Sequence, residues 1–216
     1  MIRRVVGIHF SPLGGTAGMT RLLTKEIASR LQENSIADIS TQTFELLGTG
    51  PEHVNLDDET VVVIGVPVYV GKVPLPAVRA LDKFSANGAV AVAAVSYGAR
   101  SYGNALYELQ HCAEAHGFKV IGAGAFSADR RRYGDGPGEY AGDRDTVVAF
   151  SKAAAAKIMR LSGSEIEGLK IKPAPLEVAG HLPVHLTSRV SPRAAAAAQR
   201  VLERVCVRRK ASEWFL

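Results

Sequence analysis

Apolar residues along this chain follow two rhythms, short β-branched runs and longer stretches in which apolar positions return every three or four residues. Residues 4–8 form the first run, and Leu22, Leu23, Ile27 and Leu31 follow at helical spacing, with Arg21, Lys25, Glu26 and Arg30 on the opposite face. Residues 39–44 alternate as an edge-like strand does, and the Gly-, Pro-, Asn- and Asp-rich stretch 48–59 predicts a loop. Residues 60–66 are a continuous β-branched run, the pattern of a strand buried on both faces of a parallel sheet. Prolines at both ends of 67–74 forbid helix there, so that segment is a shaped loop, and 76–84 predicts a short helix with Val78, Leu81 and Phe84 apolar. The plan then repeats with a strand at 89–95, a loop at 96–104 and a helix at 105–116 ended by Gly117. A last strand, 118–126, is interrupted by Gly122 and Gly124; a polar loop, 127–142, and a helix, 144–161, follow.

Five strands alternating with helices predict an α/β fold, a doubly wound five-stranded parallel sheet in the order 2-1-3-4-5 over residues 1–162. Beyond it the composition changes. Pro173, Pro175, Pro183 and Pro192 mark 163–192 as a linker or strap. Residues 193–216 predict a C-terminal helix with Val201, Leu202 and Val205 as its apolar stripe, then a tail whose Trp214 and Phe215 pack on this domain or on a partner.

In that strand order a ligand crevice lies at the carboxyl ends of the first and third strands, and three loops converge on it. The first, 9–20, holds hydroxyls and glycines but no lysine, arginine or acid. Two readings fit it. Gly14 and Gly15 let the backbone curl around an anion held by helix-start amides, with Ser11, Thr16 and Thr20 as further donors; alternatively the loop is a Ser/Thr helix cap in a glycine-bearing turn. It is not a Walker loop, since no lysine follows the glycines, and Gly14, Gly15 and Gly18 miss the dinucleotide spacing, so Glu45 is no ribose ligand of a pyridine nucleotide fold. The second loop offers Pro67, Val68, Tyr69, Val70 and Gly71, and the third Ser96, Tyr97, Gly98, Tyr102 and Asn104. Their convergence favours a phosphorylated ligand.

The chain-wide numbers narrow the classes further. The 216 residues are 47% hydrophobic and 22% charged, ordinary for a globular protein. The longest apolar run, 61–70, falls far below the roughly 20 residues of a membrane span, and the N-terminal apolar stretch stops at His9, too short for a secretory signal. Two distant cysteines, Cys112 and Cys206, provide neither an iron–sulfur ligand set nor a disulfide framework, so a cytoplasmic location is expected. The net charge of +5 resides partly in Arg130–Arg132 and Arg208–Lys210, without interleaved aromatics, which predicts a solvated basic surface rather than a nucleic-acid platform. His111 and His116 fall on a helix away from the strand ends, as surface histidines do.

Residues 10–16 (Phe-Ser-Pro-Leu-Gly-Gly-Thr), 67–74 and 97–106, together with 117–121 and Ala125-Phe126, resemble the flavodoxin superfamily, and more narrowly the flavodoxin half of flavodoxin–ferredoxin fusion proteins. The resemblance covers about residues 1–162. It implies FMN, with Ser11, Thr16 and the Gly14 and Gly15 amides on the 5′-phosphate, Tyr69 and Tyr97 against the ring, and a backbone acceptor near Gly71 for the ring nitrogen that takes a proton on reduction. A threonine usually stands in this group where Leu13 stands here, which removes one phosphate donor, and the ferredoxin cysteines are absent. The resemblance therefore implies a flavoprotein of electron transport that passes electrons between partner redox proteins. Two rivals accompany it. One is an FMN-dependent NAD(P)H:acceptor oxidoreductase of quinone type, with Arg130, Arg131 and Arg132 on the pyridine nucleotide and pocket walls borrowed from a homodimer mate. The other is a non-redox binding module on the same fold. A response-regulator receiver is excluded, because its acids are replaced by His9-Phe10-Ser11 and Pro67-Val68-Tyr69.

Overall fold

The valine-rich runs form the centre of one sheet in the computed structural model, which describes residues 1–48, 51–98, 101–128, 142–166, 176–178 and 213–215. In chain order the elements are β1 (Arg4–His9), α1 (Gly15–Gln32), β2 (Ser40–Glu45), β3 (Val54–Asp57), β4 (Thr60–Pro67), α2 (Leu75–Leu81), β5 (Phe84–Asn87), β6 (Val90–Tyr97), α3 (Ala105–Ala115), β7 (Lys119–Ser127), α4 (Arg144–Ile166) and β8 (Glu213–Phe215). The main sheet runs β2-β1-β4-β6-β7-β8, and its first five strands are parallel. Counting only those five gives 2-1-3-4-5, the doubly wound flavodoxin-like order, with its switch point between β1 and β4.

Strands β1, β4, β6 and β7 are buried on both faces, because the crossover helices cover both, while β2 at the sheet edge is largely exposed. Val6, Ile8, Val62 and Ile64 face Leu81, Leu106 and Leu109 of α2 and α3, while Val5, Val61 and Val63 face Leu23 and Ile27 of α1 and Phe150 and Ile158 of α4. The close seating of α1 depends on two glycines. A Cβ at Gly65 would lie 1.8 Å from Thr20 Oγ1, and one at Gly7 would lie 2.7 Å from Thr24 Oγ1. Those threonines are buried without cost in lost hydrogen bonds, since Thr20 and Thr24 donate to the carbonyls of Thr16 and Thr20 one turn earlier.

Several elements depart from the sequence expectation. The stretch 48–59 contains β3, and the short helix stops at Leu81, so Phe84 opens β5; the two strands pair in parallel as a small separate sheet. Both segments, Val-Asn-Leu-Asp and Phe-Ser-Ala-Asn, alternate apolar and polar residues, but four residues flanked by Gly, Pro, Asn and Asp are too few to mark a strand, and it is their pairing that makes them one. Helix α4 continues to Ile166, five residues past the expected end. In β7 the register against β6 slips by one residue at Ile121, and Lys157 Nζ donates to the Ile121 carbonyl at 2.8 Å. The tail supplies a sixth strand, β8, antiparallel to β7 with Trp214 opposite Gly124, which covers that edge. Leu176 and Val178 pack into the core beside α3, and Gln110 Nε2 donates to the Leu176 carbonyl at 2.7 Å. The arginine triplet 130–132, residues 99–100, the remaining strap prolines and the expected helix 193–209 lie outside the described residues. Among the described residues no helix is long and apolar enough to cross a membrane.

Candidate functional site

At the carboxyl end of β1 the chain turns into α1 through residues 10–14. Gly14, at φ +83°, makes the turn that a side chain would strain. The Ser11 hydroxyl accepts from the Ala17 amide at 2.9 Å, and the Gly14 amide donates to the Ser11 carbonyl at 3.2 Å. The cap reading of Ser11 is therefore met by its oxygen, while its proton stays free to donate. Among the described residues nothing accepts from the amides of Gly15 and Thr16. Two open N–H groups at the positive end of an 18-residue helix give this turn the character of an anion cradle.

Beside it lies a narrow cleft with a cavity volume of about 30 Å³. The first loop contributes Pro12, Leu13, Gly15 and Thr16; the second Pro67, Val68 and Tyr69; the third Ser96, Tyr97 and Gly98; and Ala128, just past β7, closes the wall. Pro12 and Ala128 were not anticipated. Ala128 is brought in by sheet pairing alone, its amide donating to the Tyr97 carbonyl at 2.8 Å. Thr16 Oγ1 and Ser96 Oγ are 2.7 Å apart and tie the first loop to the third. Among the described residues no acid, histidine, lysine, arginine or cysteine lines the cleft.

Six of the expected residues lie around the cleft rather than on its wall. Ser11 and Gly14 shape the turn behind it. Val70 and Gly71, at φ +55° and +73°, form a two-residue turn closed by reciprocal backbone bonds between Tyr69 and Lys72 of 3.0 and 3.1 Å. Gly71 does not present an unencumbered carbonyl, because its oxygen accepts from the Asn104 amide at 2.9 Å. Gly103 presses against it so closely that a Cβ there would sit 2.7 Å from the Gly71 Cα. Tyr102 packs on Tyr97 with ring centroids 5.7 Å apart, and Tyr97 is itself buried, so the half-buried Tyr69 is the more open ring on the cleft. The second loop is also pinned from below. Glu108 of α3 accepts from the Val73 amide at 2.9 Å, and burial raises its carboxyl above the usual range. His111 and His116 bond to carbonyls of their own helix, His116 reaching Asp82 as well, and take no part in the cleft.

One neighbour of the first loop was missed. Glu45, at the end of β2, accepts from the Ser11 amide at 3.3 Å and from His9 Nε2 at 2.8 Å. The loop's own residues hold no charge, but parallel pairing of β1 with β2 sets His9 opposite Glu45. The sequence signal was available only once that register was known.

No family model matches the chain, and no curated protein matches it in sequence. Solved structures do match. An oxidoreductase from Corynebacterium diphtheriae is 14% identical over 74% of this chain and 98% of its own, with a TM-score of 0.50. A flavodoxin from the domain Archaea is 17% identical over 72% of this chain and 99% of its own (TM-score 0.45). A flavodoxin from Streptococcus pneumonia is 10% identical over 73% and 98% (TM-score 0.46). The likeness is one of fold. It agrees with the strand order read directly from the sheet.

Proposed function

We propose that the cleft binds FMN and that the protein carries electrons between partner redox proteins. The observation that carries this reading is the pairing of two open helix-start amides with a cleft whose described lining holds two tyrosines and no carboxylate, imidazole, amine, guanidinium or thiol. The amides suit a phosphate monoester, whose oxygens accept hydrogen bonds from N–H groups without needing a cation. A narrow wall of Val68, Tyr69, Tyr97 and Gly98 suits a flat aromatic ring system.

The residues present fit the group. The amides of Gly15 and Thr16 would hold the phosphate, with the Ser11 and Thr16 hydroxyls as further donors. Tyr69 and Tyr97 would flank the ring. When bound, FMN supplies one- and two-electron redox chemistry, which the side chains of this cleft lack. The chain's own part is to bind, orient and exclude water. The Thr16–Ser96 bond fixes the first loop against the third, and the Gly71–Gly103 contact with the Asn104 bond fixes the second against the third, so all three walls are set before a ligand arrives. Leu13, 62% exposed at the rim, presents an apolar face instead of a hydroxyl and adds no donor.

An anaerobic reductive titration of the FMN-loaded protein tests the carrier role. Two separated one-electron stages in the visible spectrum, with no acceleration by NADH or NADPH, are expected. Direct two-electron reduction by a pyridine nucleotide would replace the carrier with the quinone-type oxidoreductase. Loss of all flavin colour on gel filtration would leave the non-redox binding module.

A further inference from the structure

We propose that His9 and Glu45 form a charge-balancing pair behind the phosphate loop, so that a dianionic phosphate binds together with a proton taken up on His9. This rests on the anion reading of residues 11–16 and adds to it a device that reads the charge of the ligand.

The geometry is specific. His9 ends β1 with only 3% of its side chain exposed, directly ahead of the loop. Its Nε2–H donates to Glu45 Oε2 at 2.8 Å, while Nδ1 is buried with no partner. The other carboxylate oxygen, Oε1, accepts from the Ser11 amide at 3.3 Å and so helps to shape the loop. The groups facing His9 are Glu45 from β2 and Arg21 from α1; its neighbour on β4 is Gly65, which carries no charge. Burial holds the His9 imidazole below its ordinary range, opposed by Glu45 and assisted by Arg21.

With the cleft free, the neutral imidazole is favoured, since a second ring proton would sit on a buried nitrogen with nothing to accept it. The loop is then backed by the Glu45 carboxylate with no positive charge on His9 beside it, which disfavours an incoming anion. A phosphate at the Gly15 and Thr16 amides adds negative charge close to this pair and favours the protonated ring. The proton comes from solvent, and no bond other than N–H forms. The imidazolium offsets Glu45, and the repulsion falls. The sign follows directly: ligand binding raises the His9 midpoint, so this pair strengthens binding of a dianion as pH falls through the interval between the free and bound midpoints. The second ionisation of a phosphate monoester, near pH 6, acts in the opposite direction. A site-specific readout separates the two.

The test is a ring NMR titration of His9 in the free protein, with FMN, and with riboflavin, which lacks the phosphate. The His9 midpoint is expected to rise by about one unit with FMN and to stay in place with riboflavin. Glu45→Gln removes the charge, its carbonyl oxygen serving the Ser11 amide and its NH2 donating to His9 Nε2 in the other ring tautomer; it is expected to tighten FMN binding relative to riboflavin binding at pH 8 by about fivefold. Bound FMN with an unmoved His9 midpoint, or a Glu45→Gln variant that binds FMN no better, overturns the pair's role and leaves the FMN reading standing. Absence of any FMN binding overturns both.

Discussion

Among the described residues, Val70 is the one non-glycine at positive φ. A β-branched residue at φ +55° carries roughly 1–2 kcal/mol of steric cost, yet it occupies the first central position of a turn where Asn is the favoured residue before Gly. Its side chain is 41% exposed. Val70→Asn is therefore expected to stabilise the protein by about 0.5–1 kcal/mol in denaturant unfolding. An unchanged or lowered midpoint would mean that the valine side chain is held by a contact that offsets its strain. At this scale the sequence was legible where residue type dictates geometry. Gly14 and Gly71 stand where positive φ is needed, and Ser11 stands where a helix start needs a hydroxyl. It was silent where a role depends on a distant partner. Glu45 lies 34 residues from the amide it accepts, and Tyr97 and Tyr102 cannot be told apart by type as wall and support.

At the scale of elements, long apolar runs decided correctly and short ones did not. The run at 60–66 became β4, and all seven of its residues are buried, because a run of that type fits no other layer. The segments Val54–Asp57 and Phe84–Asn87 pair only with each other, and β8 is three residues long; such strands exist because an edge or a partner is available. The joint between the second and third loops is likewise invisible to periodicity. It rests on two glycines meeting backbone to backbone, with Gly103 at φ +55°. Gly103→Ala is expected to cost about 2 kcal/mol in thermal or denaturant unfolding and to weaken FMN binding, since its Cβ would lie 2.7 Å from both the Cα and the oxygen of Gly71. A variant of unchanged stability and affinity would show that the two loops yield without consequence, and that the second loop is not set by the third.

In the whole molecule, the cleft lies where a doubly wound sheet reverses its winding, between β1 and β4, beside the start of α1. The sheet order was readable from the alternation of runs, because right-handed crossovers leave few other arrangements. The central claim is that the open amides of Gly15 and Thr16 hold a phosphate. The most direct measurement is a pair of fluorescence titrations, FMN against riboflavin, on the same protein. Two charge-assisted hydrogen bonds predict that FMN binds more tightly by about 100-fold or more. Equal affinity for the two flavins, or binding of neither, would contradict it.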